Sequence, residues 1–342
     1  VNKNKQVLIG GMVTILAGIG VYRIVSTQRN RKPALGDNWT TAKIPDLTGR
    51  VIVVTGANSG IGLEAAKEFT RKRAQAILAC RNLDKAQAAL DQIQAEIPSA
   101  TAEIMHLDLA NQASIRSFTA EFKAKHDRLD VLVNNAGIMI SPYSRTDDGF
   151  ESQFGTNHLG HFALTGLLLD LLLETPGARV VTVSSMGHRF GSIDFEDLMH
   201  DGGNGYSTFR AYGRSKLANL LFTYELQRHF EAIDADAIAV AAHPGTSSTY
   251  VDRYLNDRLY FKLLRRFKPA ITQSAVMGAL PTVRAATDPD VEGGQYFGPS
   301  GFMERKGPPT IVQSSGASHD QAVARQLWQV SEQLTGVRYD GV

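Results

Sequence analysis

Residues 51–62 read VIVVTGANSGIG, a β-branched run that passes through a glycine-rich turn into an apolar-periodic stretch. Glycines 56, 60 and 62 permit a tight turn and close backbone approach. The helix that follows offers free N–H groups and the positive end of its dipole, which together suit a pyrophosphate. A glycine string alone says little. A strand before it and a helix after it supply the context that points to nucleotide binding.

The same alternation continues along the chain. Strand patterns at 51–55, 76–80, 102–107 and 130–133 are followed by helical patterns from Gly60, Asp84, Gln112 and about 152–173. Strands at 179–184 and 237–242 then flank a helix of about 209–230. This rhythm predicts an α/β chain built on a Rossmann-type doubly wound parallel sheet. Ser318-His319-Asp320-Gln321 reads as a capping box opening a last helix, with Leu327, Trp328 and Leu334 turned inward. No solenoid-type repeat or low-complexity tract interrupts the pattern, so residues 47–342 form one domain.

A different composition precedes it. Residues 7–25 are nineteen residues with one charge, Arg23, long enough to span a bilayer. The run is long for a signal-peptide core and lacks a small-residue cleavage site, so residues 1–27 are expected to be an uncleaved membrane anchor. Arg29, Arg31 and Lys32 on its far side place the following domain in the cytoplasm by the positive-inside bias. Residues 28–46, with two prolines and no period, read as a tether. Over the whole chain 43% apolar and 20% charged residues are ordinary for a globular protein, and a net charge of +2 gives no reason to assign nucleic acid as a partner. The single cysteine, Cys80, excludes an internal disulfide framework and a cysteine-based zinc cluster, and reads as packing.

Two further features bear on chemistry. The residue after the second strand is Arg81, where a carboxylate would bind the ribose hydroxyls of NAD; a guanidinium there suits the 2′-phosphate of NADP, so NADP(H) is the expected cofactor. Tyr212 and Lys216 lie four apart on one helical pattern and share a face. A phenol needs a shift of about three pKa units to act as an acid/base near neutrality, and a neighbouring ammonium has the right sign. By spacing alone such a pair also arises by chance in amphipathic helices.

Taken together, several motifs resemble those of the short-chain dehydrogenase/reductase family, in its retinol-dehydrogenase-like branch. They are the turn at 55–62, His106-Leu107-Asp108-Leu109, Asn134-Asn135-Ala136-Gly137, Asn157-His158-Leu159-Gly160-His161-Phe162, Val183-Ser184-Ser185, the Tyr212 to Lys216 stretch and His243-Pro244-Gly245. The resemblance covers nearly everything after the tether. It implies a catalytic set of Asn157, Ser185, Tyr212 and Lys216. It also implies a cofactor site of Gly56, Asn58, Ser59, Gly60, Ile61 and Gly62 at the phosphates, Asp108 and Leu109 at the adenine, and Asn135, Ala136 and Gly137 along the nicotinamide side. Pro244 and Gly245 would flank the nicotinamide, and Tyr212 and Lys216 would reach its ribose. In this scheme Ser185 holds a substrate oxygen, Tyr212 gives or takes the proton, Lys216 lowers the phenol pKa, and Asn157 holds a water that links the lysine to solvent.

The expected activity is hydride transfer between NADP(H) and a lipophilic alcohol, aldehyde or ketone, retinol-like or long-chain. One alternative is reduction of a conjugated C=C bond in the manner of protochlorophyllide reductase, a branch with an active-site cysteine, whereas Cys80 lies on the second strand. Another is a nucleotide-bound scaffold or redox sensor, which has no need of all four catalytic residues. Residues 250–268 interleave aromatic and aliphatic residues with six basic and two acidic ones. They suit a lid over the substrate, a helix lying on anionic lipid, or an ordinary amphipathic helix packed on the domain. His158, His161 and His243 lack the spacing of a metal site and read as packing or supporting groups. By analogy with the family, copies could pair through the helices at 152–173 and 209–230.

Overall fold

The computed structural model describes residues 39–246 and 273–342. The expected span at 7–25 and the apolar, basic segment at 250–268 lie outside them. No helix among the described residues is long and apolar enough to cross a membrane.

Eight strands form one sheet in the order β3-β2-β1-β4-β5-β6-β7-β8. They are β1 (Val51–Thr55), β2 (Gln75–Cys80), β3 (Thr101–His106), β4 (Val131–Asn134), β5 (Arg179–Val183), β6 (Ile238–Ala242), β7 (Tyr296–Pro299) and β8 (Pro309–Ile311). All neighbours are parallel except β7 and β8, which form an antiparallel edge. The β-branched run of β1 is buried along its whole length because helices cover both faces of the sheet. Alternate side chains therefore enter different cores. Ile52 and Val54 pack with Phe69, Ile93 and Val283, whereas Val51 and Val53 pack with Phe118, Phe162 and Phe222.

On the first face lie α1 (Gly60–Arg71), α2 (Leu83–Glu96) and, after the undescribed segment, a helix over Ala275–Thr287. On the second lie α3 (Gln112–Lys125), a composite helical segment, and a long helix over Thr208–Ala232. The composite segment is α4 (Ser152–Phe154), a π-helical turn (Gly155–Leu159), α5 (Gly160–Leu167) and α6 (Leu169–Glu174). The single helix expected at 152–173 is thus divided. Its apolar period hides both the wider turn and the break at Leu168, where ψ opens to 7°. The long helix is α7, the one over Ala275–Thr287 is α8, and a final α9 (Gln321–Thr335) packs across α7.

Two boundaries differ from expectation. Trp39 and Ile44 are buried in the first core, 2% and 3% exposed, so the domain includes residues from Trp39 on and the boundary expected at residue 47 falls too late. Prolines and polar neighbours made that stretch read as linker, but two isolated apolar side chains anchor it. The capping box at Ser318 does not form either. Ser318 lies in a 3-10 turn (Gly316–His319) and its hydroxyl donates to the Ser315 carbonyl, while Asp320 caps α9 by accepting from the N–H groups of Ala322 and Val323.

Candidate active site

Every residue expected at the site follows the carboxyl end of a parallel strand or lies on the helices beside it, and the strand order reverses between β1 and β4. Open α/β sheets bind ligands at such a switch point. After β1 the chain turns through Gly56 and Gly60, whose φ of 67° and 58° require a residue without Cβ strain. Gly62 is needed for space, since a Cβ there would lie 2.5 Å from Asn135 Nδ2 and 2.6 Å from the Gly56 carbonyl oxygen. Ser59 gives α1 no side-chain cap, so it leaves the first-turn N–H groups of Gly60, Ile61 and Gly62 to other acceptors. That terminus, with Asn58 beside it, fits a pyrophosphate.

One buried hydroxyl organises the floor of this turn. Thr55 Oγ1 accepts the N–H groups of Asn135 and Ala136, each at 2.9 Å, and lies 3.0 Å from His161 Nε2. Asn135 Nδ2 donates back to the Thr55 carbonyl at 2.7 Å. His161 Nδ1 is 3.0 Å from the carbonyl of Asn157, so the chain of contacts runs from the phosphate turn to the π-helical turn. Burial pushes the His161 imidazole down to about 4 and that of His158 down to about 3, which keeps both neutral. Sequence reasoning placed Asn135 and Asn157 but missed Thr55 as the link between them; its position inside the glycine motif was the available signal.

Cys80 shapes the same turn. Its sulfur receives the backbone N–H groups of Ala57 and Asn58, and burial pushes the thiol up to about 11, so it is packing and not a nucleophile. Arg81 points outward just beyond it, its side chain 68% exposed, with Nη1 3.7 Å from Asp108 Oδ2. Asp108 Oδ1 accepts the N–H of Ala110, and Leu109 packs its carbonyl against Gly160, where a Cβ would come within 2.4 Å.

Asn157 sits fully buried on the π-helical turn. Its Oδ1 accepts the N–H of Ile138 at 2.8 Å, and its Nδ2 donates to the Ile138 carbonyl and to Ser215 Oγ, each at 2.9 Å. Ser215 Oγ in turn donates to the Tyr212 carbonyl at 2.8 Å. Asn157 thus joins the loop after β4 to the first turns of α7. Its amide lies beside Gly137, where a Cβ would sit 3.1 Å from Asn157 Oδ1 and 3.5 Å from Lys216 Nζ.

Lys216 is 4% exposed and donates to the Val183 carbonyl at 2.9 Å. Its ammonium lies 5.9 Å from the centre of the Tyr212 ring. Burial pushes the lysine down to about 8. Ser185 ends β5 by capping a 3-10 turn (Met186–Phe190), with its hydroxyl accepting the Gly187 N–H at 3.1 Å. Gly187 brings serine and tyrosine together: a Cβ there would be 3.0 Å from Tyr212 Cε1 and 3.5 Å from Ser185 Oγ. Asn157 and Lys216 thus meet beside Gly137, Ser185 and Tyr212 meet beside Gly187, and the Lys216–Tyr212 approach joins the two pairs, although the four come from three separate elements. Such a grouping holds the parts for a proton relay: a phenol, a buried ammonium and a hydroxyl at one edge of the sheet.

Comparison with known proteins bears on what this grouping is for. The profile of the short chain dehydrogenase family matches residues 50–197. Mouse retinol dehydrogenase 12 is 41% identical over 88% of this chain and 90% of its own length. The chain belongs to the short-chain dehydrogenase/reductase family. Within it, the chain falls in the retinol-dehydrogenase-like branch, since human retinol dehydrogenase 14 is also 39% identical over 84% of this chain and 87% of its own. Among solved structures, a protein of unassigned function from Mycobacterium paratuberculosis shares 41% identity with a TM-score of 0.73 over 88% of this chain and 99% of that one. Membership makes the chain an oxidoreductase of the alcohol and carbonyl class that works with a nicotinamide cofactor.

Other residues of the site gave no sequence signal. Glu151 is 1% exposed and caps α4 through the N–H groups of Gln153 and Phe154, while accepting the Tyr206 hydroxyl at 2.8 Å. Gln153 holds the Ile140 N–H at 3.0 Å, and Thr208 Oγ1 donates to the Ser141 carbonyl at 2.9 Å. This buried network fixes the loop after Gly137 over the start of α7. Its partners are up to 67 positions apart, beyond the reach of any local pattern. The expected Pro244 and Gly245 lie where β6 ends, and Gln273 Nε2 donates to the Pro244 carbonyl at 2.7 Å.

Proposed function

We propose that the chain is an NADP(H)-dependent oxidoreductase acting on a lipophilic alcohol, aldehyde or ketone, retinol-like or long-chain, with Tyr212 as general acid/base. The observation that carries this reading is the convergence of Tyr212, Lys216, Ser185 and Asn157 at the carboxyl edge of the sheet, beside a turn built for a pyrophosphate. The nicotinamide, when bound, supplies or accepts the hydride. Ser185 orients the substrate oxygen and Tyr212 exchanges a proton with it. Lys216, on the same face of α7, stabilises the phenolate and meets the ribose. Asn157, through Ile138 and Ser215, keeps the tyrosine turn in register.

The NADP preference rests on Arg81, exposed at the end of β2 with no carboxylate on the strand end itself. A guanidinium there, exposed and only loosely paired with Asp108 at 3.7 Å, suits a forked contact to a 2′-phosphate. The lipophilic substrate is supported by the names of the relatives and by the apolar, basic composition of residues 250–268. Membrane attachment rests on the sequence of residues 7–25 alone.

The test is NADPH and NADP consumption against aldehydes, ketones and alcohols graded by chain length. Turnover should rise with chain length, and Tyr212→Phe should abolish it while NADPH affinity stays within about twofold. A Tyr212→Phe rate near wild type would refute the acid/base role. Arg81→Ala should raise the KM for NADPH by about tenfold or more and leave that for NADH nearly unchanged, as loss of a charge-assisted contact to phosphate requires.

A further inference from the structure

The loop between β7 and β8 does more than join two strands. Met303 and Glu304 both adopt left-handed backbone, with φ of 53° and 55°. Neither residue favours that region, and two in succession persist only where the surroundings hold them there. From this turn the Glu304 carboxylate faces Arg189 and His243. Its two oxygens accept from Arg189 Nη2 at 3.0 and 3.2 Å, and Oε2 lies 3.1 Å from His243 Nε2, an approach the ring orientation leaves bent.

Each partner is attached to a different side of the candidate site. Arg189 belongs to the 3-10 turn that Ser185 caps. The neighbouring His188 lies with Nδ1 2.6 Å from the Ser185 carbonyl and accepts the Ser315 N–H on Nε2. His243 is fully buried, directly follows β6, and accepts the Gly245 N–H on Nδ1 at 3.2 Å, which leaves Nε2 to carry the proton that faces Glu304. The ring lies against Gly298 in the space a Cβ would fill, since a Cβ there would lie 2.1 Å from Nε2. The next loop residue adds a second tie, for the Arg305 carbonyl accepts the Thr246 N–H at 2.9 Å. Glu304 therefore stands between the segment that carries Ser185 and the turn that carries Pro244 and Gly245.

We propose that Glu304 is a positioning residue: held between Arg189 and His243, its carboxylate fixes the Pro244–Gly245 turn relative to Ser185 and so aligns the nicotinamide with the substrate oxygen. The inference rests on the reading above, in which Ser185 holds that oxygen and Pro244–Gly245 flank the nicotinamide. Glu304 touches neither reactant. Its effect passes through His243 on one side and Arg189 on the other.

The test compares the wild-type chain with Glu304→Gln, Arg189→Met and the double variant, using NADPH with all-trans-retinal and with a short aliphatic aldehyde. Glu304→Gln should lower kcat about tenfold or more with both substrates and leave both KM values within about twofold, because a misplaced reacting pair slows chemistry more than it weakens binding. The double variant should be no slower than the worse single one, as expected of residues that act as a unit. The fluorescence anisotropy of bound NADPH supplies a readout independent of turnover, and it should fall in Glu304→Gln while the Kd stays within about twofold. Unchanged kcat and anisotropy, or losses that merely track a lower thermal midpoint, would overturn the positioning role. If wild type binds NADPH but reduces neither carbonyl, the proposed substrate class falls, and the anisotropy comparison still decides the role of Glu304. A wild type that does not bind NADPH would overturn both.

Discussion

Lys216 is the residue whose environment says most about how the site works. An ammonium that is 4% exposed and held by one carbonyl is costly to keep charged, and burial brings it down to about 8 from a usual 10.5. If Tyr212 needs that charge beside it, kcat/KM for carbonyl reduction should decline as pH rises through about 8. Lys216→Arg, which does not lose its proton in this range, should remove that limb even at a lower rate, and pH–rate profiles of the two proteins check it. A wild-type profile flat to pH 10 would refute the dependence. The same depressed value means that the folding penalty of the buried charge is full below about pH 8 and is relieved as pH rises toward 10.5, so this group makes the cofactor-free protein more stable in that direction. At this scale the sequence singled out four residues that the fold brings near one another. Tyr212, Lys216, Ser185 and Asn157 stood out because chemistry demands their residue types in known motifs. Thr55, Gln153, Glu151 and Glu304 did not, because each acts through partners distant in the chain and resembles an ordinary polar residue.

At the scale of elements, the glycine turn and the π-helical turn show what a pattern can and cannot reveal. The strand, turn and helix at 51–62 were readable because each position has one physical reason: buried β-branched residues, then glycines, then an uncapped helix start. Gly62 is the tightest of these positions. An alanine there would press on both Asn135 and the Gly56 carbonyl, so overpacking should cost about 1–3 kcal/mol and displace the turn. Gly62→Ala should therefore weaken NADPH binding by about tenfold or more, measured by fluorescence titration, while the far-UV circular dichroism keeps its shape. Unchanged affinity would mean that the turn does not seat the phosphates. By contrast, the one-residue widening at Gly155–Leu159 lies in a segment buried on nearly every side, so no polar face marks the shift in phase and it was not legible. The end of the sheet was also missed: β7 is four residues long and includes Gly298 and Pro299, while Pro281 sits inside α8 where a local reading ends a helix. Packing overrides that preference, with α8 buried against α1 and Phe297.

For the molecule as a whole, the last 22 residues decide which surfaces are left for partners. Helix α9 lies across α5 and α7, the same helices through which pairing was expected by family analogy. Trp328 packs on Phe222 at 5.8 Å and 23° and meets Phe162 edge-on at 5.2 Å, and His229 stacks on it at 4.4 Å. Beyond the helix, the Tyr339 hydroxyl donates to the Phe162 carbonyl at 2.7 Å, and Gly166 leaves room for Val337 and Tyr339, whose side chains would lie 2.7 Å from a Cβ. Ser331 meets His158 at 2.9 Å, one residue from Asn157, so this clamp also braces the π-helical turn. Helix α9 therefore covers part of the faces through which pairing was expected. Trp328→Ala removes the centre of the clamp and should cost about 3–5 kcal/mol. For a domain of this size that lowers the thermal midpoint by roughly 10 °C, read by differential scanning fluorimetry. Replacing Leu327, 2% exposed against Leu217 and Leu221, with aspartate should go further and drive self-association through the uncovered helices, seen as a rise in mass by light scattering in the same detergent as wild type. If the intact chain already associates and Leu327→Asp dissociates it, α9 is itself the interface, and the covering role argued from Trp328 and Tyr339 is wrong.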